Sequence, residues 1–365
     1  MWAVISALCL LLSDFIPALP GYDFHFPRDH GSHDQYRTEW WYYTGHLQTD
    51  NGHRYGFEVT FFRVGVVPPE PSTTGNPDCP AGQDCPPATR WDLHDLALAH
   101  FAVTDIDRQQ FRYAEKLNRE SPFTAWSSPE TLDVVNEGWS ATTMPDGAWH
   151  LVASSGGDSV DLVMRSRKPP AIHGENGVSV KAECAGCASH YYSMTRLEVS
   201  GSIDRQRSRG IAWMDHEFGS SQLQKNQRGW DWFSIQFDDD TELMLYQIRR
   251  SDGTPDVTSS GSFVTSDGSV IHIRSDQMRI QPLGTWHSSR SGATYPMGWR
   301  ISVPGFGIAV TLNPSMKNQE LVTHASTNVT YWEGAVDVNG SSRNTSVSGV
   351  GYVEMTGYDH PFRSY

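Results

Sequence analysis

Three carboxylates and a histidine stand among large aromatics in two neighbouring segments, Trp213-Met214-Asp215-His216-Glu217-Phe218-Gly219 and Gly229-Trp230-Asp231-Trp232-Phe233. Charged groups are costly beside apolar surface unless they are paired, so such a mixture is either a satisfied polar network in a core or a reactive site. Titratable groups next to ring faces can move a proton beside an apolar molecule and stabilise the cation that results. If the first segment is a strand, Asp215 and Glu217 share one face and His216 takes the other, so no single face can use all three.

The elements that must hold these residues read as antiparallel strands. Glu39 to Leu47, a turn at Thr49-Asp50-Asn51-Gly52, and Tyr55 to Arg63 form a predicted hairpin, Asn51-Gly52 being a pair that tolerates positive φ. A second hairpin is expected from Gly229 to Phe237, turning at Asp238-Asp239-Asp240 and returning from Glu242 to Arg249. Trp40-x-Tyr42-Tyr43 in the first matches Trp230-x-Trp232-Phe233 in the second, a weak internal repeat that suggests two copies of one β-rich domain. The polar stretch Ser200 to Arg209 is the expected linker. The boundaries that follow are a leader over 1–20, one domain over 21–205 and another over 206–365. Ser128 to Val135 is the best candidate for a short helix. Pro68 to Pro87, with seven prolines, reads as an insertion loop.

Composition narrows the function. The chain has 365 residues, long for a single core, and 13 Trp, 14 Tyr and 15 Phe scattered among small polar residues, which favours an all-β protein of two domains. A formal charge of -14 repels phosphate backbones and anionic headgroups, so nucleic acid is not an expected partner. Nucleophile-elbow, H-E-x-x-H and P-loop motifs are absent, and no cofactor or metal is expected. Trp2 to Leu12 has the length of a signal-peptide core, far short of a membrane span, although no Lys or Arg precedes Arg28. The reading is an exported chain, periplasmic or secreted, with an atypical leader. Cys79 with Cys85, and Cys184 with Cys187, read as two local disulfides, with a four-cysteine zinc site as the rival. Sequons at Asn328, Asn339 and Asn344 matter only in a eukaryotic secretory host.

Several longer motifs resemble one family. Phe26-Pro27-x-Asp29-His30-Gly31, Tyr36-Arg37-Thr38-Glu39-Trp40-Trp41-Tyr42-Tyr43-Thr44-Gly45, His100-Phe101-Ala102, Tyr191-Tyr192-Ser193-x-Thr195-Arg196-Leu197 and Ala212 to Gly219 are similar to the AttH-like, carotenoid-1,2-hydratase-related proteins, as are Tyr331-Trp332-Glu333-Gly334 and Gly351-Tyr352-Val353-Glu354. The resemblance implies two tandem lipocalin-like antiparallel β-barrels, with a site in a barrel mouth or between the barrels. It implies a hydrophobic, isoprenoid or lipid-like ligand, and one of three activities. These are hydration of a carbon-carbon double bond, non-catalytic carriage of the ligand in association with a membrane ABC transporter, and a secreted hydrolase.

Hydration needs an acid to protonate carbon, a base to orient water, and aromatic faces for the cation. The expected catalytic set is Asp215, His216, Asp231 and Tyr246. His216 would face the pocket with Trp232 and Tyr246, and Asp215 or Asp231 would fix its tautomer or act as acid. Trp213, Phe218, Trp230, Trp232, Tyr42 and Tyr192 would contact the ligand. This chain has Glu217 and Phe218 where the hydratase branch suggests Asn and Trp. A buried ion pair between Glu39 and Arg196 is expected to help close a barrel, His100 to be a satisfied core histidine, and Tyr191 and Tyr192 to place one phenol on each face of a strand.

Overall fold

The computed structural model describes residues 15–69, 93–175, 177–221 and 223–362. Cys9, Cys79 and Cys85 lie outside them, as do most of the expected leader and of the proline-rich loop. Cys184 and Cys187 form a disulfide. Residues 15–20, which a leader ending at 20 would remove, pack on the first barrel: Ala18 is buried, and Ile16 N–H donates to the Gln35 carbonyl at 3.0 Å.

Two large antiparallel sheets account for the fold. The first runs in the order Gln110–Arg119, Asp95–Asp105, Arg54–Gly65, Thr38–Thr49, Gln206–Gly219, Ala188–Ile203, Asp158–Ser166, Trp149–Ser155, Trp139–Thr143, Asp133–Asn136 and Ala125–Ser127. Its two ends are drawn together by Asn136, whose side-chain amide donates to the Ala97 carbonyl at 3.1 Å and whose oxygen accepts from Asn118 at 2.7 Å. The second runs Val270–Arg274, Ser260–Val264, Glu242–Arg250, Gln227–Phe237, Thr345–Thr356, Val329–Ser342, Ile308–Pro314, Trp299–Val303 and Arg279–Pro282. The protein is all-β, with two tandem lipocalin-like barrels. Helical structure among the described residues is confined to three-residue turns, and no helix is long and apolar enough to cross a membrane.

Both predicted hairpins form, with Glu39 opposite Arg63 and Trp232 opposite Tyr246. Three expectations need correction. The strand Gln206–Gly219, placed at the start of the second domain, pairs with Thr38–Thr49 and Ala188–Ile203 and belongs to the first sheet. Ser200 to Arg209 is consequently a hairpin bend, with Asp204 and Arg205 at positive φ, and the chain crosses to the second sheet after Gly219. The expected helix at Ser128 to Val135 is a loop leading into the strand Asp133–Asn136, because Val134 is buried in alternation rather than at helical spacing.

Alternation sorts the side chains into three apolar clusters. Trp41, Tyr43, Phe57, Val59 and Phe61 fill the first barrel. Phe233, Ile235, Leu243, Leu245 and Trp299 fill the second. The outward faces of the same strands contribute Tyr42, Tyr191, Trp213, Trp232, Tyr246 and Tyr352 to a third cluster, which is the seam where the barrels meet. Polar contacts cross it: Gln236 donates to the carbonyls of Thr195 at 2.8 Å and Ala212 at 3.0 Å, and Thr104 donates to Gln319 at 2.9 Å. At Gly56 a Cβ would stand 2.4 Å from the Tyr352 hydroxyl, so a larger residue there would push the barrels apart.

Candidate active site in the seam

A cavity of about 1330 Å³, counting the space at its open mouth, lies in this seam. Its apolar wall includes Trp40, Phe62, Tyr191, Trp230, Trp232 and Tyr331, and its polar wall includes Asp215, Glu217, Glu354, Lys181 and His100. The strand Gln206–Gly219 delivers Asp215 and Glu217 to one face, as alternation requires, and Gln227–Phe237 delivers Trp230 and Trp232 from the other barrel.

Asp215 is buried and accepts from the Tyr191 hydroxyl at 2.6 Å, from the Trp213 indole N–H at 2.5 Å, and from the Ser193 hydroxyl. Burial raises its pKa to about 7, against the lowering effect of these three donors. Glu354 is likewise raised by burial to about 7 while accepting from the Trp230 indole at 2.9 Å. Glu217 is tied to the Lys181 ammonium at 2.8 Å and to the Ser189 hydroxyl. The pocket thus carries two carboxyls that titrate near neutrality and a third held in an ion pair.

Of the residues expected in the site, Asp215, Tyr42, Trp230, Trp232 and Tyr246 line the cavity. Tyr246 holds its ring under the Lys181 ammonium at 4.4 Å and its hydroxyl against Ser179 at 2.9 Å. Trp213 stands behind Asp215 and serves as its donor. The others are elsewhere. His216 does not face the pocket with Trp232 and Tyr246; it is on the opposite face of the strand, inside the first barrel. There its Nε2 lies 2.8 Å from Glu39 Oε1 and its Nδ1 3.0 Å from the Tyr192 hydroxyl. Tyr192 and Phe218 point into that interior too, Phe218 stacking on His33 at 3.6 Å between ring centres. Asp231 turns into the second barrel, where Arg249 holds it at 3.1 Å and Tyr358 donates to it at 3.2 Å. All four follow from one cause: each is an odd number of residues from a pocket-facing neighbour on its own strand.

The interior polar group is centred on Glu39. Both nitrogens of His33 face carboxylates, Glu39 at 2.7 Å and Asp29 at 3.3 Å, so both carry protons. Burial opposes charge on Glu39, but the His33 charge and the bonds from His216 and His33 outweigh it and hold the carboxyl well below its ordinary range. Arg63 adds a contact at 3.1 Å. Glu39 therefore pairs with Arg63 rather than with Arg196, which pairs with Glu242 at 2.6 Å across the seam. Ligand-type atoms of His33, Glu39 and His216 lie within 4.8 Å of one another. Their contacts with one another are at hydrogen-bond distances, and the Arg63 guanidinium lies 3.1 Å from the other Glu39 oxygen.

Sequence reasoning missed Lys181 and Glu354 as wall residues, and Glu58 and Glu333 behind it. Glu354 and Glu333 sit opposite each other on adjacent strands, and Glu333 accepts from the Tyr42 hydroxyl at 2.7 Å. Two acids in register on neighbouring apolar strands were the available signal; Lys181, in an irregular stretch, offered none.

These carboxyls make stability depend on pH in a definite sense. Asp215 and Glu354 at about 7, and Glu58 raised by burial to about 8, bind protons more tightly folded than unfolded. Their ionisation therefore removes stability between the ordinary carboxyl range and those values, so these carboxyls by themselves favour the fold at roughly pH 5 over roughly pH 8, while the buried His30, His100 and His173, each lowered by burial to about 3, act in the opposite sense. His33, raised in the fold, acts in the same sense as the carboxyls, since its contribution is present below its unfolded value and lost as pH rises through the folded one. Glu39, depressed, loses its contribution only as pH falls below the carboxyl range. Replacing Glu58 and Glu354 by Gln should raise the urea midpoint at roughly pH 8 relative to that at roughly pH 5, compared with the wild type; an unchanged difference would contradict the assignment.

Fold and site together define a tandem-barrel protein with an acid-bearing aromatic pocket in its seam. The chain belongs to the AttH-like family, whose sequence profile matches residues 17–358. It is similar to the kievitone hydratase of Fusarium solani subsp. phaseoli, 25% identical over 155 residues, a match that spans 40% of this chain and 41% of that protein. Among solved structures it resembles a Nitrosomonas europaea protein assigned to AttH, with 31% identity, a TM-score of 0.81, and coverage of 94% of this chain and 100% of that one. It also resembles the kievitone hydratase of Nectria haematococca, with a TM-score of 0.68 at 14% identity over 92% of this chain and 93% of that one, a likeness of fold.

Proposed function

We propose that the seam pocket binds a neutral, hydrophobic, isoprenoid or lipid-like molecule and adds water across a carbon-carbon double bond. The observation that carries this reading is Asp215, a buried carboxyl raised to about 7 on the wall of a cavity that sets aromatic rings beside it. Such a group holds a proton near neutral pH and can release it to carbon. In the reaction, the π electrons of the alkene take the Asp215 proton to form a C–H bond. The cation left on the other carbon faces the rings of Trp232, Trp230 and Trp40, which stabilise it before any bond to water forms. A water beside the Glu354 carboxylate then forms the C–O bond and gives its proton to Glu354. Because burial makes two nearby charges costly, one of the two carboxyls is protonated while the other is ionised, which is the division of labour the reaction requires. Similarity to a kievitone hydratase supports hydration over hydrolysis as the class of reaction.

The ligand is expected to be uncharged. The wall's two full cations, Lys181 and Arg63, are already engaged by Glu217 and by Glu39 and Asp95. A fatty-acid carboxylate would enter beside three acids with no free partner. In a fluorescence titration that follows the pocket tryptophans, geranylgeraniol should bind at least about 10-fold more tightly than a fatty acid of similar length. Trp232→Ala should weaken it by roughly 10- to 100-fold, as expected for a central aromatic anchor. Equal affinity for the anion, or no effect at Trp232, would move the ligand out of this pocket.

A further inference from the structure

We propose that His173, with Ser193 and Ser262, forms a proton relay across the seam whose direction is set by the protonation state of Asp215. His173 is a positioning residue that lets the pocket acid hold or release a proton with every hydroxyl in the chain satisfied. For its use in turnover the idea rests on the reading of Asp215 given above; the coupling itself does not.

The geometry is a continuous chain. His173 is 1% exposed, and its ring bridges the barrels: Nε2 lies 2.6 Å from Ser193 Oγ in the first, and Nδ1 lies 2.9 Å from Ser262 Oγ in the second. Ser193 in turn reaches Asp215. Ser262 stands directly opposite His272 on the neighbouring strand, so both share a face of the sheet. His272 is partly exposed, and its Nδ1 has no partner among the described residues. The chain thus runs from the pocket acid across the seam to Ser262 in the second barrel, behind the cavity wall.

Hydrogen-bond directions along it are not independent. When Asp215 is ionised it can only accept, so Ser193 donates to it. The Ser193 oxygen then accepts from Nε2–H, and the bare Nδ1 accepts from the Ser262 hydroxyl. When Asp215 carries a proton and donates it to Ser193, the serine hydrogen turns to Nε2, and the ring must carry its own hydrogen on Nδ1, donating to Ser262. In passing from the first state to the second, one proton enters at Ser262 and each hydrogen moves one bond along, from Ser262 to Nδ1, from Nε2 to Ser193 and from Ser193 to Asp215. Exit by the same path restores the first state. The ring is neutral in both, as burial favours. Other charges around the chain act on it from outside: Glu217, Glu333 and Glu354 on Asp215, Lys181 on both ends, and His272 on His173.

Nitrogen NMR of protein labelled with 15N-histidine reads the tautomer directly, His173 being assigned by the signals lost in His173→Gln. As pH is raised through the Asp215 midpoint of about 7, the two His173 nitrogens should exchange roles, from Nδ1–H to Nε2–H, with no imidazolium stage. The exchange should be lost in Asp215→Asn and also in Ser193→Ala, which cuts the chain while leaving the acid. One fixed tautomer in the wild type, a protonated ring, or an exchange that survives either substitution would overturn the relay. Tautomer exchange in a protein that hydrates nothing would leave the relay standing and remove the hydratase reading; hydration with a fixed tautomer would do the reverse.

Discussion

Asp215→Asn is expected to lower hydration by about 10²- to 10⁴-fold, the range attributable to a positioned general acid, while changing ligand affinity only a few-fold. Asparagine keeps an oxygen for the Trp213 indole and a shape close to that of the acid, so the three surrounding donors lose little packing. What it lacks is a proton to give to carbon. Asp231→Asn is the matched control: that carboxyl is as buried, but it is bound to Arg249 inside the second barrel and should affect stability without a comparable effect on the rate per folded molecule. Turnover and fluorescence titration on the same preparations separate the two. Full activity in Asp215→Asn would place the acid elsewhere on the wall, Glu354 being the next candidate.

The second large effect concerns the first barrel. Glu39→Ala should destabilise the protein by about 3 to 5 kcal/mol, the usual cost of removing one partner from a buried charge network. His33 would keep one carboxylate partner in Asp29 while Arg63 would lose its contact with Glu39, and His216 would be left facing a void in an interior that admits little water. His216→Ala should act in the same direction, through stability rather than chemistry, because the ring lies inside the barrel. Denaturant unfolding checks both. A loss below about 1 kcal/mol for Glu39→Ala would mean that the cluster relaxes and does not hold the barrel end together.

Much of this arrangement was legible in the chain. Alternation and turn residues in the two hairpins gave their strands, and the match between Trp40-x-Tyr42 and Trp230-x-Trp232, read as a sign of two similar domains, falls on rings that line the seam, Tyr42 and Trp232 lying 5.2 Å apart. The rule that set Asp215 and Glu217 against His216 was also available. What a single strand cannot disclose is which face looks into a barrel and which into a seam, since both are apolar and buried here. Choosing the histidine's face as the pocket face misplaced His216, Phe218 and Tyr192 together. The domain boundary was hidden for a related reason: a polar bend inside a hairpin, at Asp204 and Arg205, has the composition of a linker. Glu39 meets Arg63 directly across the first hairpin, so that pairing lay within reach of the hairpin itself, whereas Arg196 reaches Glu242 in the other barrel, which a single strand does not disclose.

The central claim is that the seam pocket performs hydration, and mass spectrometry of the apolar material that co-purifies with the protein tests it most directly. That material would be analysed before and after incubation of the protein in water labelled with heavy oxygen, alongside Asp215→Asn. The account predicts a neutral molecule that gains one labelled water with the wild-type protein and not with the variant. A ligand recovered unchanged from both would contradict it, and would leave the pocket as the cavity of a carrier.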